Sequence, residues 1–197
     1  RLFIASAPDR SIIQSDFSQA ELRTLSFLAQ DEYFRDIFND PTRDVFDELT
    51  PELFSGSVKA FLDPAVWKEQ RTMVKTYVYG LSYGRTEYGI ARGFGIDVEV
   101  AKEHMNRFFS VIPKIIAWQE WVKRQVHDGY DLVTPFGRHR RYSLITKENE
   151  RNVMNEALAF LPQSTASDMT VQAAVNLQRL FDSEWAPNKR PKIINLI

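Results

Sequence analysis

Apolar residues recur at helical spacing along most of the chain, and two stretches depart from that rule. From Ser18 onward, Ala20, Leu22, Leu25, Phe27 and Leu28 fall at mixed three- and four-residue intervals, which predicts a helix. Phe34, Ile37 and Phe38 mark the core face of a second helical segment. Met105, Phe108, Phe109, Ile115, Trp118 and Val122 continue the pattern across 85–128, read as helices broken at Gly93, Gly95 and Pro113. Residues 148–181 form a last long helical stretch. The departures lie near the two ends. Ser11–Ser15 is a short β-prone run delivering Asp16, with Phe3 and Ile4 suited to a preceding strand, and Ile193–Ile197 reads as a closing strand. Pro51, Gly56 and Pro64 mark loops ahead of the next helix.

That helix, at about residues 65–84, carries the most informative pattern. Arg71, Lys75, Tyr79 and Tyr83 recur every fourth residue. Each step of four drifts by only about 40°, so the four share one broad face, cations first and phenol rings after. A nucleoside triphosphate has the same order of chemistry: anionic oxygens, sugar, then a ring to stack on. An ordinary surface helix with solvated cations and half-buried tyrosines is the plain alternative.

Composition narrows the classes. Among 197 residues, 44% are hydrophobic, 13% aromatic and 26% charged, which is a globular composition. No window approaches the roughly 18 consecutive apolar residues of a membrane span, and no signal segment is evident. Zero cysteines exclude disulfides and thiolate metal sites, so any metal must rest on carboxylates, as Mg²⁺ does. A cytoplasmic location is expected, with an organelle open. The net charge of −1 hides an asymmetry: residues 1–63 hold 12 of the 26 acidic side chains and 6 of the 25 basic ones. The two parts therefore carry −6 and +5, which leaves room for a local cationic groove in the second.

Two smaller motifs bear on chemistry. Asp16 ends a run and precedes a helix, a placement that taken alone serves an N-cap more often than a metal ligand. Gly137–Tyr142 (GRHRRY) sets Arg138, Arg140 and Arg141 beside His139, either as a solvated turn or as a phosphate-contacting segment.

DFSQAELR at residues 16–23 and RTMVKTYVYGLSYG at 71–84 resemble motifs A and B of the family A DNA polymerases, and the similarity runs from about Ser11 to Ile197. The resemblance implies that Asp16, helped by the backbone carbonyl of Phe17, binds two catalytic Mg²⁺ ions. It implies that Glu21 blocks a ribose 2′-OH. Arg71 and Lys75 would hold the triphosphate, Lys75 also serving catalysis, while Tyr79 packs on the sugar and base and Tyr83 guards the template side. A tyrosine at 79 implies ready acceptance of dideoxynucleotides. Gln163 matches the glutamine that contacts the primer–template minor groove, and Arg138, Arg140 and Arg141 match a DNA-contacting segment. This chain departs from the family at Phe46, where a histidine is usual, and at Asn155 and Ala159, where arginine and asparagine are common. Val126-His127-Asp128 imitates motif C but stands in the wrong order and after a polar helical run.

The implied fold is α+β: a palm sheet with an inserted, mainly α-helical fingers domain. The boundaries read as 1–30 for the first part of the palm, 31–150 for the fingers and 151–197 for the second part of the palm. The closing run looks like the strand that leads into motif C. The implied partners are primer–template DNA, a dNTP, a C-terminal segment carrying motif C and an N-terminal thumb-bearing segment. The expectation is that this chain alone lacks polymerase activity, being either a cut piece or one product of a divided gene. An inert nucleic-acid-binding or accessory subunit is the reading from another class. A single-subunit RNA polymerase is the nearer rival, and Glu21 speaks against it.

Overall fold

A computed structural model describes residues 10–54, 59, 62–186 and 189–193. Eight helices and one two-stranded sheet make up the secondary structure of these residues: α1 (Ala20–Ala29), α2 (Glu32–Asn39), α3 (Val45–Leu53), α4 (Pro64–Ser82), α5 (Glu87–Phe94), α6 (Val98–Val111), α7 (Pro113–His127), β1 (Leu132–Val133), β2 (His139–Arg140) and α8 (Glu150–Glu184). The architecture is mostly helical with a small sheet. β1 and β2 pair antiparallel, with Leu132 opposite Arg140 and Val133 opposite His139. Among the described residues no helix is long and apolar enough to cross a membrane.

Helix starts follow side-chain capping. The carboxylates of Asp31, Asp44 and Asp63 accept backbone N–H groups at the first turns of α2, α3 and α4, and Thr86 does the same for α5. Pro64 and Pro113 open α4 and α7, where a missing N–H costs nothing. Gly95 ends α5 in the left-handed region, at φ 65°.

α4 is held by its inner face. Val74, Tyr77 and Val78 are fully buried and Leu81 nearly so, each burial contributing about 1.5–3 kcal/mol. The Tyr77 ring stacks on Phe94 at 4.8 Å, and its hydroxyl meets His104 Nδ1 at 2.9 Å. Burial pushes the Tyr77 phenol up to about 12 and lowers His104, so both stay neutral near pH 7. At the far end, the buried Gln119 of α7 donates from Nε2 to the carbonyls of Leu81 (2.7 Å) and Ser82 (3.0 Å). Helix C-termini leave such carbonyls short of partners; here a side chain from another helix supplies a donor to Ser82 and a further one to Leu81, which also accepts the Gly84 N–H at 3.2 Å. Gly84 follows at φ 80°, where a Cβ would lie 2.8 Å from the Asn155 Oδ1 of α8.

α1 packs most extensively on α8. Its Thr24 hydroxyl lies 3.2 Å from the Pro162 carbonyl, beside the point where a proline interrupts the α8 ladder.

Several sequence expectations require correction. Ser11–Ser15 forms no strand among the described residues: residues 10–18 are exposed, Ile13 to 89%, and no partner supplies a ladder. Pro51 lies inside α3 and does not mark a loop, because the buried Leu49, Thr50 and Leu53 keep that turn helical. Gly93 likewise sits within α5, and the break comes at Gly95. Phe3, Ile4, Gly56 and most of the closing run (194–197) lie outside the described residues.

The Gln119 clamp is testable. Gln119→Leu removes the side-chain donor from the Ser82 carbonyl and one of the donors to Leu81, and should lower unfolding free energy by about 1–3 kcal/mol in urea titrations. An unchanged midpoint would show that the clamp contributes nothing.

Candidate nucleotide-binding face

Packing of the inner face of α4 turns the opposite residues toward α1 and α3. Tyr83, the residue that caps α4, donates a short hydrogen bond to the Glu21 carboxylate of α1. Burial raises the Tyr83 phenol, and its bond to Glu21 raises it further, so it remains a neutral donor. One turn back, Tyr79 is half-buried, with its ring 6.2 Å from that of Phe46. Its phenol is also raised, by burial first and by the Glu21 charge second.

Arg71 lies in a different setting. Its Nε donates to Asp47 at 2.8 Å and a terminal nitrogen donates to Asp44 at 2.9 Å. The guanidinium carbon stands 5.3 Å from the Phe46 ring centre, within cation–π range. Asp47 also accepts from Lys59 at 2.8 Å. Burial opposes ionisation of Asp47, but the bonds from Lys59 and Arg71 outweigh it and hold the carboxyl below its ordinary value. Lys75 is exposed and makes no ion pair among the described residues.

The structure thus joins Glu21 to Tyr83, sets Tyr79 against Phe46 and Phe46 under Arg71, and leaves Lys75 exposed with no ion pair among the described residues. Asp16 and Phe17 stand apart, on the exposed segment that leads into α1. Among the described residues no group of three or more His, Asp or Glu side chains is placed to hold a metal. Gln163 is exposed on α8, directly after Pro162. Arg138, Arg140 and Arg141 are exposed on and beside the hairpin, and each is paired: with Asp168, Glu156 and Asp131 respectively. Val126-His127-Asp128 is the end of α7, with His127 3.1 Å from Glu150.

Three participants escaped sequence reasoning. Asp47 is one helical turn from Asp44 and shares its side of α3, a spacing that was visible but pointed nowhere until Arg71 stood opposite. Gln119 hides between Trp118 and Glu120, and only its position on the buried stripe of α7 could have drawn notice. Tyr77 reads as one more tyrosine in a tyrosine-rich helix, although it is the one turned inward.

Known proteins similar to this chain identify its family. The profile of DNA polymerase family A matches residues 1–194. The thermostable DNA polymerase I of Thermus filiformis is 32% identical over 170 residues, 84% of this chain and 20% of that protein. DNA polymerase I of Caldicellulosiruptor bescii is 28% identical over 191 residues, 93% of this chain and 21% of that protein. The chain therefore spans about a fifth of the length of these curated relatives. Among solved structures, the POL domain of Pol1 from M. smegmatis, in complex with DNA primer-template and dNTP, is similar with a TM-score of 0.75 and 26% identity. That match covers 85% of this chain and 29% of the other. With a family profile running across nearly its whole length, this chain belongs to the family A DNA polymerases.

Proposed function

We propose that this chain handles the incoming nucleotide and primer–template in DNA-directed DNA synthesis. The observation that carries the reading is the α4 face, with two cations at 71 and 75 and two aromatics at 79 and 83, the last tied to Glu21. On this reading residues 31–150 act as fingers, and residues 1–30 and 151–197 contribute to a palm. Similarity to a polymerase domain bound to primer-template and dNTP supports it.

Each residue has a physical task. Lys75, exposed and without an ion pair among the described residues, supplies a mobile point charge for phosphate oxygens, and Arg71 supplies a planar fork suited to two of them at once. Near the reacting phosphorus, Lys75 would also stabilise charge that builds on the departing phosphates. The half-buried Tyr79 offers a ring for the sugar and base. Glu21, fixed by Tyr83, presents a carboxylate that a deoxyribose passes and a 2′-hydroxyl meets, so selection for DNA rests on a positioned group. Gln163 and the arginines at 138, 140 and 141 are proposed to contact DNA, the arginines by trading carboxylate partners for phosphates.

Asp16 and the Phe17 carbonyl are proposed to meet Mg²⁺, yet one carboxylate does not fit two divalent ions about 4 Å apart. The described residues supply no further cluster. The remaining carboxylate is therefore proposed to come from a further segment or chain, and what this chain's residues do is bind and orient.

Three outcomes are expected. In equilibrium titration with dATP, Arg71→Ala and Lys75→Ala should each weaken binding about 10- to 150-fold, in line with charge-assisted hydrogen bonds of about 1.5–3 kcal/mol. Primer extension should appear only when the chain is mixed with a segment supplying the missing carboxylate, and Asp16→Ala should abolish it. DNA binding without extension in that mixture would favour an accessory role instead. In the active mixture Tyr79→Phe should reduce dideoxynucleotide incorporation relative to dNTP, and an unchanged ratio would remove Tyr79 from sugar recognition.

A further inference from the structure

We propose that Asp47 acts as an internal competitor for the triphosphate, occupying Arg71 and thereby setting nucleotide affinity. The inference rests on the nucleotide-binding reading of the α4 face and adds a residue to it.

Asp44 and Asp47 both hold Arg71, but they are not equivalent. Asp44 is the N-cap of α3: its Oδ1 accepts the backbone N–H groups of Phe46 (2.9 Å) and Asp47 (3.0 Å). Its Oδ2 takes Arg71 and, at 3.4 Å, the amide of Gln19. That carboxylate is committed to the local fold. Asp47 caps no helix, and both of its oxygens face cations, Arg71 on one side and Lys59 on the other. Among the described residues its carboxylate makes these two ion pairs and no other side-chain bond.

The pairing is of a kind that can exchange. The side chains of Arg71 and Asp47 are 37% and 29% exposed, so water reaches both and a polyphosphate can approach. Ion pairs this open are weak. A guanidinium accepts carboxylate and phosphate in the same bidentate geometry, and the more highly charged triphosphate is the stronger partner. Binding then takes place as an exchange in which Arg71 gives up its Nε–Asp47 bond, and the released carboxylate stays nearby with Lys59. Lys75, which has no such partner among the described residues, is available from the start. Neutralising Asp47 frees the Nε side of Arg71, with Asp44 still on a terminal nitrogen, and removes a negative charge from the path of the phosphates. Both effects tighten binding.

The experiment measures equilibrium binding of dATP, with inorganic tripolyphosphate as a charge-only competitor, to the unaltered protein and to Asp47→Asn, Arg71→Ala and the double variant. Asp47→Asn should bind both probes about 2- to 5-fold more tightly, the size expected from releasing an exposed ion pair. The gain should vanish in the double variant relative to Arg71→Ala alone, because it acts through Arg71. Asp47→Glu should restore the original affinity. Asp47→Ser, a second neutral side chain, guards against a folding defect peculiar to the asparagine. If Arg71→Ala leaves affinity unchanged, the nucleotide-binding reading of this face fails. If Arg71→Ala weakens binding while neither neutral variant tightens it, Asp47 is only a tether between α3 and α4 and the proposal is overturned.

Discussion

The rotational setting of α4 about its own axis is the constraint on which the candidate site depends. Val74, Tyr77, Val78 and Leu81 bury one side of that helix, so the residues opposite have no freedom to choose what they face. A turn of about 100°, one residue's worth, would bury Lys75 and expose Tyr77. The stack of Tyr77 on Phe94 and the bond to His104 oppose such a turn from the middle of the helix. Gln119 opposes it from the end, gripping the last carbonyls so that Tyr83 arrives opposite Glu21. Hydrophobic burial supplies the energy, and a few directional bonds supply the register.

Charge is arranged with similar economy on the exposed side. Lys75 stands open, whereas Arg71 is shared among two carboxylates and an aromatic ring. Phe46 sits between the guanidinium and Tyr79, touching the charged end of the face on one side and the aromatic end on the other. In this chain a hydrophobic ring occupies a position where the resemblance leads one to expect a histidine. The contact it makes is accordingly one of shape and polarisability, and proton-dependent charge plays no part in it.

Helices were legible in the sequence because burial stamps them with a 3.6-residue period, and α4, α6, α7 and α8 emerge near their expected bounds. The shared face of Arg71, Lys75, Tyr79 and Tyr83 was legible for the same reason. What stayed hidden depends on contacts between distant segments. The Glu21–Tyr83 tie spans 62 residues, and no local pattern announces it. Asp47 and Gln119 are polar residues on helices, and their partners come from segments distant in the chain. Ser11–Ser15 misled through β-propensity, which reports suitability for a pleated surface and not the presence of a neighbour. Pro51 misled because burial on three sides of it outweighed one lost hydrogen bond.

The hairpin arginines have a consequence for how a basic motif should be weighed. Arg138, Arg140 and Arg141 each meet a carboxylate, two of these being on α8 and the third just before β1. The segment that looks most cationic on paper is therefore close to neutral on the folded surface. A phosphate arriving there does not simply shed its condensed cations into bulk solution, because each displaced carboxylate becomes a new place for cations to gather. The two ion fluxes oppose one another. Binding through such arginines is thus less sensitive to ionic strength than their number suggests, and a count of positive residues overstates the electrostatic reach of the surface.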